Sequence, residues 1–61
     1  MKSFYEVQQL LKRFGTLVYV GDRQSDALLM EEEVRELYQN QLITIEEYRD
    51  AILILQKEKK T

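Results

Sequence analysis

A tyrosine, a lysine and two amides near the amino terminus are the first residues with evident chemistry. If Val7 faces the core of a helix, a rotation of about 100° per residue places four polar side chains on one outward strip. They are Tyr5, Gln8, Gln9 and Lys12. A tyrosine ring can stack on a base, an ammonium group can meet a phosphate, and amides can reach base edges. The strip predicts a site for single-stranded RNA or DNA.

Arg13, Tyr19 and Arg23 are candidates to extend this strip. The alternative is an ordinary solvated helix face, since basic residues near a helix end commonly only offset the helix dipole. The sequence has no RNA-binding signature and no glycine-rich phosphate loop, and its pI near 5.0 argues against tight duplex binding. The residues alone leave both interpretations open.

Carboxylates are frequent between residues 22 and 36, but their spacing does not suit a metal ion. Neighbouring glutamates from Glu31 to Glu33 point about 100° apart on a helix. Asp22 and Asp26 share a face, yet no loop supplies the other oxygens that Ca²⁺ or Mg²⁺ requires. We therefore expect no metal site and no cofactor.

The chain has no histidine, no cysteine, no tryptophan and no proline. It lacks the commonest general base, the thiol nucleophile and the nitrogen and sulfur ligands of transition-metal sites. Its serine and threonine hydroxyls have no evident base to activate them. The composition predicts a protein that is not an enzyme, has no small-molecule substrate, and acts by binding.

The length of 61 residues limits what the fold can support. Such a chain buries about 60% of its unfolded surface, and its core rarely supplies more than about 3–5 kcal/mol. The longest apolar run, Ala51 to Leu55, is too short to cross a bilayer, so no membrane partner is expected. Met1 to Ser3 leads directly into an amphipathic pattern without a signal-peptide core, which favours the cytoplasm.

Helix signals divide the chain into three segments. Ser3 and Glu6 form a capping box, and Gly15 can end the first helix. The apolar stripe between them consists of Val7, Leu10, Leu11 and Phe14. These signals predict a helix over about 4–14, followed by a packed, apolar connector at residues 16–20.

The second helix should begin near Asp22, whose carboxylate can cap it, and run to about residue 39. Its predicted core face consists of Ala27, Met30, Val34, Leu37 and Tyr38. Asn40 can end the helix, because asparagine tolerates the left-handed backbone conformation.

Thr44 and Glu47 form a second capping box, which predicts a third helix over about 45–58. Its core stripe consists of Tyr48, Ala51, Ile52 and Leu55. The connection between the second and third helices is so short that they must pack as an antiparallel hairpin. The fold class is therefore all-α, a compact three-helix single domain.

Several of these segments match a known pattern at the expected separation. They are FYEVQQLLKRFG at 4–15, VYVGDR at 18–23, Leu29-Met30 and Glu36-Leu37-Tyr38. Nearly the whole chain resembles the YqgQ-like family of very small bacterial proteins, whose biochemical role is not established. The resemblance implies a compact three-helix protein, carries the suggestion of single-stranded nucleic acid binding, and brings no catalytic residues.

Charge is segregated along the chain behind a formal net charge of -2. Residues 1–25 and 56–61 carry more basic than acidic side chains, whereas residues 26–55 are strongly acidic. A fold that brought the two basic segments together would form a basic end that attracts phosphates.

Four apolar residues lie outside the predicted core stripes: Leu28, Leu29, Leu53 and Ile54. The connector can cover Leu28 or Leu29, which is the simpler explanation for one of them. Exposed apolar side chains on a helix otherwise mark a partner site. The surplus predicts a homodimer, or an adaptor that presents a helical interface to another protein, as the alternative to nucleic-acid binding.

Overall fold

The computed structural model describes residues 3–16 and 21–59, which form three helices. They are α1 (Phe4–Arg13), α2 (Arg23–Gln39) and α3 (Ile45–Lys59). The described residues contain no strand. The predicted all-α, three-helix class is confirmed.

Each helix begins at a side chain that caps its free amides. The Ser3 hydroxyl accepts from the Glu6 amide at 3.3 Å, which fixes the beginning of α1. At α3 the capping box is complete, because the Thr44 amide donates to Glu47 Oε1 at 2.9 Å and the Glu47 amide donates to Thr44 Oγ1 at 3.0 Å. These bonds satisfy donors that the first turn of a helix leaves free.

Gly15 ends α1 in the left-handed conformation, with a φ of 82°. The Gly15 amide donates to the Lys12 carbonyl and the Thr16 amide donates to the Leu11 carbonyl, both at 3.0 Å. This pair of bonds is the Schellman arrangement, and glycine adopts its positive φ without strain.

The end of α2 differs from the prediction that Asn40 takes the left-handed conformation. Asn40 has a φ of -87°, and it is Gln41 that has a positive φ, 60°. The Asn40 side chain instead donates from Nδ2 to the Glu36 carbonyl at 3.0 Å. The Leu42 amide reaches the Leu37 carbonyl at 2.9 Å, so the left-handed position is the residue after the cap.

The hairpin of α2 and α3 is confirmed, and contacts near both of its ends show that the two helices are antiparallel. Beside the turn, the rings of Tyr38 and Tyr48 stack with centroids 4.4 Å apart. Further along, Lys59 Nζ lies 2.9 Å from Glu31 Oε2. Such distant residues meet only when the helices run in opposite directions.

Helix α1 packs against both other helices and runs antiparallel to α3. Near its carboxyl end, Arg13 Nη2 lies 3.8 Å from Glu47 Oε2, at the beginning of α3. Near its amino end, the Phe4 ring lies under the Arg23 guanidinium, which pairs with Glu58 close to the end of α3. The last turn of α3 is therefore placed beside the first turn of α1.

The core lies where the three helices meet. Its buried residues are Phe4, Val7, Leu10, Leu11, Ala27, Met30, Val34, Leu37, Ile43, Ala51 and Leu55. The prediction of Phe14 as a core residue is wrong: Phe14 caps the end of α1 and is exposed, whereas Phe4 is buried. Tyr38, also predicted in the core, is exposed at its edge.

Among the described residues, no helix is both long and apolar enough to cross a membrane.

Candidate nucleic-acid interface

The first turn of α1 borders a groove of about 590 Å³ that all three helices line. Its lining residues are Ser3, Phe4, Tyr5, Gln8, Arg23, Ile54, Lys57 and Glu58. We call it the Tyr5 groove. Because α1 and α3 are antiparallel, residues near the two ends of the chain face each other across it.

Tyr5 is the most exposed aromatic side chain on this surface, at 65% of its full accessibility. Gln8, one turn later on α1, is half-buried beside it, and Lys57 is exposed on α3. A free aromatic face, an amide and an ammonium group therefore share one groove. This is the combination that a stacked base with its phosphate requires.

Arg23 joins the three helices at the same place. Its guanidinium lies over the Phe4 ring at 4.3 Å from the centroid, and its Nη1 lies 3.3 Å from Glu58 Oε2. A guanidinium over an aromatic ring is attracted electrostatically by the ring face. Arg23 keeps 57% of its side chain accessible, so its charge still reaches solvent from the groove.

Asp22 precedes Arg23 and caps α2 through Ser25. The Ser25 hydroxyl donates to Asp22 Oδ2 at 2.7 Å and the Ser25 amide donates to the same oxygen at 3.1 Å. These two hydrogen bonds hold the pKa of the Asp22 carboxyl below its ordinary value of 3.8. The bond from the hydroxyl is the larger cause and the bond from the amide the smaller. Asp22 is therefore ionised at neutral pH.

The structure divides the predicted polar strip between two sides of α1. Gln9 and Arg13 line a second groove of about 280 Å³ with Glu6, Leu10 and Glu47, and we call it the Gln9 groove. Arg13 lies near Glu47 there, at the opposite end of α1 from Arg23. Lys12 is exposed on α1, and Tyr19 lies outside the described residues.

The predicted basic end is formed only in part. Arg23 and Lys57 share the Tyr5 groove, as the charge segregation suggested. Lys59, by contrast, turns to Glu31 and is only 24% exposed. Sequence reasoning missed Lys57 and Glu58 as groove residues, because only the direction of α1 along α3 brings them to Tyr5.

The comparisons with known proteins agree on one family. The YqgQ-like family model matches residues 1–61. The chain belongs to the YqgQ-like family. It is also 48% identical over 58 residues to a protein of Bacillus subtilis (strain 168) named uncharacterized protein YqgQ. The matched residues cover 95% of this chain and 82% of that protein. Neither name specifies a ligand, a reaction or a partner.

The four apolar residues proposed as an interface lie in different surroundings in this YqgQ-like chain. Leu53 is 64% exposed, Leu28 53% and Leu29 41%. Leu28 and Leu29 are neighbours on a helix and so point about 100° apart. Ile54 is half-buried, packs against the core and lines the Tyr5 groove, so it is not surplus to the fold.

Within residues 3–16 and 21–59, no group of three or more histidine, cysteine, aspartate or glutamate side chains is placed to hold a metal ion. Two of the carboxylates have other partners. Glu31 contacts Arg35 as well as Lys59, and Glu47 closes the α3 capping box.

Proposed function

We propose that this YqgQ-like protein is a non-catalytic protein that binds single-stranded RNA or DNA weakly through the Tyr5 groove. The observation that carries this proposal is the placement of the exposed Tyr5 ring in one groove with Arg23 and Lys57. A cytoplasmic location, expected from the sequence, is part of the proposal.

Each group in the groove has a distinct role in this mode of binding. The Tyr5 ring stacks on one base, an interaction worth about 1–3 kcal/mol and tolerant of sequence. Arg23 and Lys57 contact phosphate oxygens, where the guanidinium can form two parallel hydrogen bonds and the ammonium acts as a point charge. The Gln8 amide and the Ser3 hydroxyl can form hydrogen bonds with base edges or sugar.

Binding should be weak and sensitive to salt. The formal net charge of -2 repels nucleic acid at long range, so the attraction is local to the groove. With about two phosphate contacts, the slope of log K against log salt for a single strand is about -1.4. Affinity should therefore fall about sevenfold between 50 and 200 mM salt.

Fluorescence anisotropy with a labelled oligothymidylate of about ten nucleotides tests the proposal. We expect Tyr5→Phe to retain affinity, and Tyr5→Ala to lose about fivefold or more, because only the latter removes the stacking face. Lys57→Gln should weaken binding and make the slope of log K against log salt less steep. Arg49→Gln is the matched control, since Arg49 carries the same charge at an exposed position on α3 outside the groove.

Two results would contradict the proposal. One is the absence of binding at high micromolar protein in 50 mM salt. The other is an equal loss of affinity in Lys57→Gln and Arg49→Gln, which would show only a general effect of charge.

Of the other predicted site residues Gln9, Lys12, Arg13 and Tyr19, we propose Lys12 as an extension of this surface. A strand that continued past Tyr5 along the exposed side of α1 would approach Lys12, whereas Gln9 and Arg13 lie in the Gln9 groove. Lys12→Gln should therefore weaken binding of a longer oligonucleotide more than that of a dinucleotide. Equal effects on both lengths would remove the extension.

A second proposed function is self-association, or docking to a helix of another protein, through the exposed leucines. The observation that favours it is the exposure of more than half of the Leu28 and Leu53 side chains. Sedimentation equilibrium tests self-association, and Leu28→Ser and Leu53→Ser should then shift the equilibrium toward monomer. A chain that stays monomeric at hundreds of micromolar would exclude the homodimer.

A further inference from the structure

Glu58 is an acidic side chain that lines the Tyr5 groove. It forms an ion pair with Arg23, whose guanidinium we propose as a contact for a phosphate of the ligand. Glu58 Oε2 lies 3.3 Å from Arg23 Nη1. We propose that the Glu58 carboxylate occupies the anion position of the groove and competes with a phosphate of the ligand for Arg23. This inference rests on the proposed nucleic-acid function and adds an intramolecular competitor to it.

The surroundings of Arg23 suit an exchange of one anion for another. The guanidinium lies over the ring of Phe4, which is buried and therefore fixed in position. Release of Glu58 would leave Arg23 held on that ring with its hydrogen-bond donors directed to the groove. Carboxylate and phosphate oxygens are recognised by the same planar set of N–H groups, so one can replace the other.

The ion pair between Glu58 and Arg23 is weak enough for a competing anion to break it. The Glu58 side chain is 27% exposed and that of Arg23 is 57% exposed, so the pair lies at the surface and not in the core. Exposed ion pairs of this kind shift an equilibrium by only about two- to fivefold. The Glu58 carboxylate and an arriving phosphate repel each other. The ammonium group of Lys57, the neighbouring residue, attracts the same phosphate. The competitor therefore weakens binding without preventing it.

The experiment compares Glu58→Gln with Glu32→Gln in the same anisotropy assay at about 0.1 M salt, where charges are screened beyond about 10 Å. Glu32 is exposed on α2, nine residues or about 13 Å along the helix from Arg23, and does not line the groove. Both variants remove one negative charge. We expect Glu58→Gln to bind about two- to fivefold more tightly than wild type, and Glu32→Gln to bind as wild type.

A double-mutant cycle assigns the effect to the pair. Arg23→Gln should weaken binding, and adding Glu58→Gln to it should give a smaller gain than in wild type, because only the charge repulsion between Glu58 and the phosphate is then relieved. A gain of full size without Arg23, or an equal gain in Glu32→Gln, overturns the inference. Absence of oligonucleotide binding by wild type and Glu58→Gln alike would instead overturn the proposed function, so the two failures are distinct.

Wild-type protein supplies a test that does not depend on the folding of a variant. In an NMR titration with the same oligothymidylate, the side-chain carboxylate carbon of Glu58 and the Nε–H group of Arg23 should shift together. This common movement is expected because the phosphate replaces Glu58 at Arg23. A Glu58 signal that stays constant at saturation while Arg23 shifts would overturn the inference.

Discussion

Asp22 and Arg23 are neighbours at the beginning of α2, yet they have different partners. Asp22 accepts two hydrogen bonds from Ser25 and so caps its own helix. Arg23 reaches across to Phe4 of α1 and Glu58 of α3. One residue therefore fixes where the helix begins, and the next fixes how that end meets the rest of the molecule.

The Asp22 cap should make stability depend on pH. Its folded pKa lies below the ordinary value of 3.8, so the stabilisation is complete above that value and is lost as the pH falls through the folded pKa. Asp22→Asn keeps a capping oxygen but does not titrate. In urea unfolding between about pH 2 and 6, the stability of wild type relative to Asp22→Asn should decline toward acid and level off below both pKa values.

Ser25→Ala is the companion variant, because it removes the hydroxyl that is the largest cause of the lowered pKa. It should reduce the pH dependence in the same comparison. Wild type and Asp22→Asn curves that run parallel across this range would show that the cap does not depend on the charge of Asp22.

Gln41 offers a stabilising substitution. A residue with a side chain costs about 1–2 kcal/mol in the left-handed conformation, and Gln41 has a φ of 60°. Glycine removes this strain, but its greater freedom in the unfolded chain lowers the stability of the fold by about 0.5–1 kcal/mol. Gln41→Gly should therefore raise the free energy of unfolding by up to about 1 kcal/mol, measured by urea titration.

Asn40→Gly is the control, since Asn40 has a negative φ and its side chain bonds to the Glu36 carbonyl. It should lower stability. If glycine stabilised position 40 and not position 41, the assignment of the left-handed residue would be wrong.

At the scale of the helices, the beginning of α3 serves two purposes. Glu47 closes the capping box with Thr44 through Oε1, while its Oε2 lies 3.8 Å from Arg13 of α1. The cap therefore specifies the helix locally, and the same side chain also ties α1 to it. Helix α1 is short, ten residues, so it depends on such contacts more than the hairpin does.

The two functions of Glu47 can be separated by mutation. Thr44→Ala should cost about 1 kcal/mol of unfolding free energy, because it leaves the Glu47 amide without its acceptor. Glu47→Gln keeps an oxygen that can accept from the Thr44 amide and removes only the exposed ion pair, so it should cost less, about 0.2–1 kcal/mol. Urea denaturation checks the order, and a larger loss in Glu47→Gln would contradict it.

For the whole molecule, stability rests on a small core at the junction of three helices. The radius of gyration is 10.4 Å, close to the value of about 10.5 Å expected for a compact chain of this length. The fully buried side chains include Leu11, Met30 and Leu55. With so few of them, each contributes a large share of the total.

Leu55 and Leu53 provide a matched pair on α3. Leu55 is completely buried, so Leu55→Ala should cost about 2–5 kcal/mol, comparable to the whole stability of a domain of this size. Leu53 is 64% exposed, so Leu53→Ala should change stability by less than about 0.5 kcal/mol in the monomer. Circular dichroism during thermal unfolding checks both. A strong, concentration-dependent loss in Leu53→Ala would instead indicate self-association.

Much of the fold could be predicted from the residues because the decisive signals are local. Ser3, Asp22 and Thr44 each begin a helix where the sequence predicts one, and Gly15 ends α1. The errors occur at the carboxyl ends of helices. Phe14 continues the apolar stripe of α1 by spacing, but it lies past the last turn and is exposed.

The three helices, their amino-terminal caps and the hairpin could be predicted from the amino-acid sequence, since they depend on groups only a few residues apart. The sequence also predicted that the protein acts by binding. The sequence did not indicate that Lys57 and Glu58 share a groove with Tyr5, or that Arg13 lies elsewhere. These positions follow from the antiparallel packing of α1 on α3, which joins distant parts of the chain through contacts that no local pattern encodes.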